Sequence, residues 1–244
     1  MSLPVDYSHI RQTVKFHRHL NQKIWLRRAM RPEVRLKLLE SALTFYEFLK
    51  VPVRVADIVL TGSNAAFNYT VQSDLDVHLI VPYAQTGSPS LAENLFLTKK
   101  ALWASYYDIK VRGQPVELYV EDKASPAQSN GVYSLLRDRW VREPKAVPPA
   151  LNDSAITRKV EGLAAEITAL MDAHPPAEDI DRLFAKLHAM RQSGLQDGGE
   201  FAVDNISFKV LRALGYLDDL WNARRKAVGS VLSLEGARPG LSKN

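Results

Sequence analysis

The sequence contains no cysteine among its 244 residues, which excludes disulfide bonds and zinc sites built from thiolates. It also contains no apolar run approaching the length of a membrane span, and its basic start is not followed by the apolar stretch of a signal peptide. No internal repeat is apparent. We therefore expect a globular protein without a membrane partner, and a content of 46% hydrophobic and 24% charged residues agrees with that expectation. The absence of cysteine is compatible with any compartment.

Two features of residues 60–81 are the most informative in the chain. A turn formed by Gly62 and Ser63 follows a short apolar run, and a turn of this kind can offer backbone N–H groups to phosphate oxygens. Asp74 and Asp76 then begin a segment in which apolar residues occupy every second position, which predicts a β-strand.

The spacing of the two aspartates indicates a metal site. On a strand their carboxylates point to the same face and lie roughly 6–7 Å apart along the chain. Two carboxylates held this close repel each other unless cations lie between them. Magnesium commonly takes one or two carboxylates together with water and substrate phosphates, and two ions about 3.5–4 Å apart can stabilise both oxygens of an in-line displacement. Asp74 and Asp76 therefore predict half of a site for two Mg²⁺ ions, with Mn²⁺ as an alternative.

A third acidic residue would complete such a site, and Glu117 is well placed for it. Residues 116–120 alternate between apolar and other side chains, and residues 112–115 are typical of a hairpin turn. If this strand lies beside the one that carries Asp74 and Asp76, Glu117 joins the two aspartates. The alternative is that Glu117 is an ordinary solvated carboxylate on a strand.

Together, Gly62-Ser63, Asp74-x-Asp76 and the later Glu117 resemble the pattern of the DNA polymerase β-type nucleotidyltransferase superfamily. The resemblance implies an enzyme that moves a nucleoside monophosphate from an NTP to an acceptor hydroxyl and releases pyrophosphate. It implies that Gly62 and Ser63 hold the triphosphate and that the two aspartates bind both metal and nucleotide. It also implies that Glu117 ligates the catalytic metal and helps to deprotonate the acceptor.

A narrower likeness covers more of the chain. Four segments resemble predicted nucleotidyltransferases encoded by tailed bacteriophages: residues 20–25, 131–136, 199–201 and 204–215. Such a protein would act in the host cytoplasm. Lys209 lies in the last segment and could bind triphosphate oxygens, although an ordinary solvated lysine is the alternative. The chain departs from the superfamily pattern at Phe67, where many small members have a second glycine.

The net charge of +5 is concentrated near the N-terminus. Residues 1–31 contain seven lysines and arginines against one aspartate, so they carry +6 and the other 213 residues sum to −1. A basic cluster of this kind can bind the phosphates of nucleic acid, so RNA is a candidate partner beside NTP. The alternative is a solvated face of the first predicted helix.

The predicted fold class is α+β, with a small mixed sheet of the nucleotidyltransferase type and flanking helices. We expect an N-terminal helix pair within residues 1–50, a nucleotidyltransferase core in 51–145, a C-terminal helical module in 150–235 and a tail in 236–244.

Periodicity, caps and breakers place the individual elements. Helices are predicted at about 6–30, 32–50, 64–70, 91–107, 152–173, 177–193, 204–215 and 216–231. Strands are predicted at about 58–60, 73–81, 108–111 and 116–120, and residues 132–141 fit either a strand or a helical turn. Gly194–Gly199 is expected to separate two helices, Asp204 to cap the next one and Gly215 to end it.

Local patterns leave the acceptor open. An RNA 3′ end such as that of tRNA fits the basic N-terminus and is our first expectation. The alternatives are a small hydroxylated molecule such as an antibiotic, a protein side chain, or a non-catalytic module that binds nucleotide or RNA. Three mutually repelling carboxylates argue against a module without catalysis. We expect His78 to be a packed, hydrogen-bonded residue and Tyr119 to pack in the core or at its rim.

Overall fold

The computed structural model describes residues 15–71, 73–124, 129–146 and 151–233. Within these ranges the chain forms two compact units, residues 15–146 and residues 151–233. The first unit combines a mixed sheet with helices, and the second is helical. The fold class is therefore α+β, as the sequence predicts. The predicted tail at 236–244 lies outside the described residues.

The first unit is built on a six-stranded mixed sheet and a separate two-stranded hairpin. In chain order the strands of this unit are β1 (Trp25–Leu26), β2 (Ala29–Met30), β3 (Asp57–Thr61), β4 (Leu75–Val81), β5 (Lys110–Val111), β6 (Gln114–Asp122), β7 (Val132–Ser134) and β8 (Arg139–Arg142). The order across the sheet is β5-β6-β4-β3-β7-β8, in which β6 and β4 are parallel and all other neighbours antiparallel. The four strands predicted between residues 58 and 120 are confirmed as β3, β4, β5 and β6.

Side chains alternate along the strands, so the two faces of the sheet differ. Four apolar residues at alternate positions of β4, Leu75, Val77, Leu79 and Val81, are fully buried in the core that includes α1 (Pro32–Leu49) and α2 (Pro89–Tyr106). Both helices confirm the sequence predictions for these regions. The intervening residues of β4 and β6, which include Asp76 and Glu117, lie on the opposite face, which we call the polar face.

The first predicted helix, at 6–30, is wrong over its described part. Residues 15–30 form an irregular segment followed by the β1–β2 hairpin, with Arg27 at a positive φ of 59° in the turn. Trp25 is buried and stacks on Trp140 with ring centroids 4.6 Å apart. Packing against a strand more than a hundred residues away therefore outweighs the local helical spacing of the apolar residues. Within the described residues, α1 is the only helix of the expected N-terminal pair.

Two other predictions for the first unit are resolved by the structure. The helix expected at 64–70 is wrong, because only a single 3₁₀ turn forms, at Ser63–Ala65. Ala66 is extended beyond this turn, and the buried side chain of Phe67 anchors the chain in the core. Residues 132–141, which fit either a strand or a helical turn, belong to the antiparallel pair β7–β8.

The second unit contains four α-helices around its own apolar core. They are α3 (Asp153–Asp172), α4 (Ala177–Gly198), α5 (Val203–Ala213) and α6 (Tyr216–Leu232). The side chain of Asn152 caps α3 by accepting the N–H of Ala155 at 3.1 Å, and Gly215, at φ 86°, separates α5 from α6. Within the described ranges, no helix has the length and apolar character needed to span a bilayer.

Two predictions for the second unit are wrong. Helix α4 does not break at Gly194 but continues to Gly198. A Cβ atom at Gly194 would lie 2.6 Å from the Cβ of Asp204, so this glycine permits the close approach of α4 and α5 rather than a turn. Asp204 does not cap α5, because it lies inside the helix and pairs with Lys159 of α3.

Candidate metal centre

Three carboxylates meet at one end of the polar face. Asp76 and Glu117 are register partners on the parallel strands β4 and β6, and Asp74 immediately precedes β4. One carboxylate oxygen from each of the three residues lies within 4.8 Å of the other two. All three side chains are half-buried. The structure therefore brings together the three residues that the sequence suggested as metal ligands.

Gly62 lies directly against this acidic group. It follows β3 with a φ of +73°, and a Cβ atom at this position would lie 2.0 Å from Oδ2 of Asp76. Contacts this short do not occur in proteins, so any side chain at position 62 would displace the carboxylate or the turn. Glycine is thus required here for two reasons, its left-handed backbone conformation and the space that Asp76 occupies.

The loop between β3 and β4 is tied together by polar contacts. The hydroxyl of Ser63 donates to the hydroxyl oxygen of Ser73 at 2.8 Å, and that oxygen also accepts the N–H of Thr70 at 2.8 Å. The side-chain amide of Asn64 donates to the backbone carbonyl of Asp74 at 2.7 Å. The Gly-Ser turn and the first carboxylate are therefore held in one arrangement.

Asn64 is a site residue that the sequence reasoning missed. It is fully buried, and its Oδ1 accepts the side-chain amide of Asn21 at 2.8 Å. Asn21 also donates to Gln114 at the start of β6 at 3.1 Å, and the indole of Trp25 donates to the carbonyl of Asn64 at 2.7 Å. These contacts join segments 39 to 93 residues apart, so no local pattern could have indicated them. The one available signal was an amide directly after the Gly-Ser turn.

Glu117 is held as a carboxylate by two donors. Tyr119 donates its hydroxyl to Oε2 of Glu117 at 2.5 Å, and Nζ of Lys100 lies 3.1 Å from the same oxygen. Burial by itself raises the pKa of Glu117, but the hydrogen bond from Tyr119 and the charge and hydrogen bond of Lys100 outweigh it and hold that pKa below its ordinary value. Burial and the hydrogen bond to Glu117 raise the pKa of Tyr119, so the tyrosine remains a donor.

Replacing Tyr119 with phenylalanine tests this support. Tyr119→Phe removes one of the two donors that orient Glu117, and loss of a group that orients a ligand typically weakens metal binding about 10- to 100-fold. We expect a shift of that size in Mn²⁺ affinity, measured by electron paramagnetic resonance of the free ion. Tyr83→Phe is the matched control, because Tyr83 donates to the carbonyl of Val120 on the same strand, away from the acidic group. Equal affinities for wild type and Tyr119→Phe would contradict the assignment.

His78 and Tyr119 differ in how they relate to the centre. His78 contacts Glu121 rather than the three carboxylates, which confirms the expectation of a hydrogen-bonded histidine. Tyr119 contributes directly to the candidate site, a role beyond the packing that the sequence suggested. Phe67, where a second glycine was expected by resemblance, is buried and packs with its ring centroid 6.0 Å from that of Phe16.

Lys209 lies on α5 in the second unit. Its Nζ is 3.4 Å from a carboxylate oxygen of Glu200, and both side chains are about three-quarters buried, with exposures of 22% and 25%. Its role in binding the triphosphate stays a prediction.

The basic N-terminal cluster is arranged differently from the helix face that was predicted. Arg11 lies outside the described residues. The other four arginines of residues 1–31 line a surface cavity of about 560 Å³: Arg18, Arg27, Arg28 and Arg31. Arg28 is paired with Glu143 at 2.7 Å. RNA binding by this cluster also stays a prediction.

The chemistry of the centre follows from its donors. Three carboxylates offer only hard oxygen ligands, which suit Mg²⁺ or Mn²⁺ rather than softer metals. Gly62 and Ser63 are partly exposed beside these carboxylates, so a ligand can reach the backbone of this turn. Comparison with protein-family models, with curated proteins and with solved structures finds no match. Any functional interpretation therefore depends on the geometry of the site itself.

Proposed function

We propose that this chain is a metal-dependent nucleotidyltransferase, which moves a nucleoside monophosphate from an NTP to an acceptor hydroxyl. The observation that supports it is the convergence of Asp74, Asp76 and Glu117, with oxygens within 4.8 Å of one another, beside the turn at Gly62 and Ser63. Carboxylates this close favour bound cations, and Mg²⁺ reaches such sites together with nucleoside triphosphates. These substrates make the cytoplasm the expected compartment.

Each residue of the site has a distinct part in the proposed reaction. Asp74, Asp76 and Glu117 would hold the metal, and the backbone at Gly62 and Ser63 would contact the triphosphate. When bound, the ions would neutralise triphosphate charge and stabilise the attacking and leaving oxygens. Asp76 lies between β6 and the Gly62 turn. The carboxylate proposed to bind the metal is therefore in direct contact with the turn proposed to bind the triphosphate.

The transfer itself is an in-line displacement. The acceptor oxygen forms a bond to the α-phosphorus while the bond from that phosphorus to the α,β-bridging oxygen breaks, and pyrophosphate leaves with the electron pair. Glu117, which is anionic at neutral pH, accepts the hydroxyl proton. Lys100 and Tyr119 are positioning residues that orient Glu117. The protein contributes mainly by positioning the reactants and compensating charge.

Pyrophosphate release tests the reaction class. We expect the full-length protein to release pyrophosphate from at least one NTP when Mg²⁺ or Mn²⁺ and a pool of RNA, aminoglycosides and cell proteins are present. Label in the α-phosphate should move to the acceptor, and label in the γ-phosphate should leave as pyrophosphate. Removal of the metal with EDTA should stop both, because the three carboxylates would then repel the triphosphate.

Other outcomes of the same assay identify the alternatives. Release of the γ-label as inorganic phosphate would indicate an NTP hydrolase instead. Binding of an NTP without any turnover, across all acceptors and both metals, would indicate a non-catalytic module and contradict the proposal. Within a positive result, the class of molecule that receives the α-label separates an RNA acceptor from an antibiotic or a protein.

A further inference from the structure

A cavity of about 620 Å³ lies on the polar face of the sheet. Val59 and Thr61 of β3 and Ile80 of β4 form part of its lining, and the β7–β8 pair contributes Val132 and Arg142. Its volume is within the range of typical ligand sites. It can therefore hold a few units of one extended polymer chain, but it is too small for a double helix. Among the described residues that line it, none has an aromatic side chain.

The rim of this cavity is cationic. Four basic side chains line it: Arg54, Lys123, Arg137 and Arg142. Two carboxylates are also present, but Asp57 accepts hydrogen bonds from the Ser134 hydroxyl at 2.7 Å and the Ile58 N–H at 2.9 Å, and Glu121 contacts His78.

The cations of the rim are mostly available to a ligand. Arg137 is 3.7 Å from Asp57, and Arg142 donates to the backbone carbonyl of Ser129 at 2.8 Å. Within the described part of the chain, Arg54 and Lys123 form no ion pair. The cavity therefore presents a positive surface whose carboxylates already have partners.

One line of neighbouring residues connects the cavity to the acidic centre. Asp76 is the register partner of Thr61, and Val132 is the register partner of Arg142. The hydroxyl of Thr61 reaches the carbonyl of Gly131 at 3.3 Å, which places β7 directly beside it. Three strand spacings of about 4.8 Å put Arg142 about 14 Å across the sheet from Asp76.

The pairing of β7 with β8 is irregular at Val132, where Val141 is an extra residue without a register partner. Both Val141 and Arg142 line the cavity.

We propose that this cavity binds the sugar–phosphate backbone of a single-stranded polynucleotide, whose terminal hydroxyl is the acceptor at the acidic centre. The inference rests on the proposed function and names its acceptor class. A polynucleotide matches both ends of the surface, because its internal phosphates meet the cations and its neutral hydroxyl end meets the metal-binding carboxylates. A polycationic antibiotic meets four like charges at the same place.

The predicted binding is mainly electrostatic. Without an aromatic platform for base stacking, affinity comes from phosphate contacts, and the logarithm of the binding constant should fall with the logarithm of salt concentration by about 0.7 per contact. Arg142→Gln should therefore weaken binding about fivefold or more and reduce the slope by about 0.7.

Fluorescence anisotropy with the full-length chain, in Mg²⁺ without NTP, measures this directly. The probes are single-stranded RNA and DNA of one sequence, about ten nucleotides long, which is within the range that one single-strand-binding fold covers. Binding of either probe with the expected salt slope supports the proposal, and the ratio of the two shows which sugar is preferred. Binding of neither overturns it. Circular dichroism of each variant confirms that it is folded.

Arg139→Gln is the matched control, since Arg139 is exposed on the same strand as Arg142 but does not line the cavity. It should bind like wild type. If Arg142→Gln binds like wild type, or if Arg27→Gln in the N-terminal cavity weakens binding as much, the proposed surface is wrong.

The assays distinguish an error in the proposed polynucleotide site from an error in the proposed nucleotidyltransferase function. A strand bound through Arg142 without pyrophosphate release under any condition would overturn the nucleotidyltransferase assignment and the acceptor role. Pyrophosphate release with an unchanged Michaelis constant for the strand in Arg142→Gln would overturn only the cavity.

Discussion

Asp76→Asn is expected to lower the metal-dependent release of pyrophosphate by about 10³-fold, the upper end of the range for loss of one electrostatic stabiliser. The substitution keeps the shape of the side chain but removes the charge that lies opposite Glu117 and against Gly62. Initial rates at saturating NTP and a range of Mg²⁺ concentrations measure the effect. A wild-type rate in this variant would contradict the catalytic assignment.

Thermal stability separates a functional role of Asp76 from a structural one. In EDTA, replacing one of three close carboxylates removes like-charge repulsion, so the melting temperature of Asp76→Asn should equal or exceed that of wild type. Asp108→Asn is the control, because Asp108 is an exposed carboxylate of the same unit that pairs with Lys110 at 2.8 Å. It should keep the wild-type rate. A low melting temperature of Asp76→Asn would indicate that its loss of activity reflects unfolding.

The sequence predicts the features of the site that depend on the alternation of side chains along a single strand. Strands β4 and β6 each bury one face, so period-two patterning shows which side chains share the other face. That both strands are neighbours, with Asp76 opposite Glu117, was a hypothesis, because side-chain alternation carries no information about which strands pair. The parallel pairing of β4 with β6 supplies that information.

The features that the sequence does not predict depend on contacts between residues that are far apart in the chain. Residues 15–30 have apolar spacing compatible with a helix, yet they supply Asn21 and Trp25 to the loop that carries Asn64. A buried amide must find hydrogen-bond partners, and here its partners come from segments with no recognisable relation in the sequence. The cationic cavity has the same origin, since Arg54 and Arg142 line one cavity only because the order of the strands brings β3, β7 and β8 side by side.

Two glycines show that the residue type alone does not predict where the chain turns. Gly62 and Gly194 could each interrupt an element of secondary structure, but α4 continues through Gly194, where the neighbouring helix α5 packs closely. At Gly62 the chain does turn, and a carboxylate occupies the space where a side chain would be. A positive φ and a tertiary contact are separate reasons for glycine, and the two can be tested separately.

Gly62→Ala should lower the rate of pyrophosphate release on the order of 10²-fold, the cost of misplacing reacting groups by about an ångström. The added methyl group would lie 2.0 Å from Oδ2 of Asp76, so the carboxylate must move away from its position opposite Glu117. We also expect a higher Mg²⁺ concentration for half-maximal rate, because one ligand is displaced. Rates across a Mg²⁺ titration, together with melting curves, measure both effects.

Gly113→Ala provides the matched comparison for this variant. Gly113 has a similar φ of +80°, in the turn between β5 and β6, but nothing lies within 4 Å of the position of an added methyl group. Both alanines incur the cost of a positive φ, on the order of 1–3 kcal/mol in stability, and the cost is larger at position 62, where a ψ of −161° is essentially restricted to glycine. Only the alanine at position 62 also crowds a carboxylate. Gly113→Ala should therefore melt at a lower temperature than wild type and keep its rate and Mg²⁺ requirement. Equal losses of activity in the two variants would assign the effect to backbone strain, and a wild-type rate in Gly62→Ala would show that the carboxylate of Asp76 is not needed where it lies.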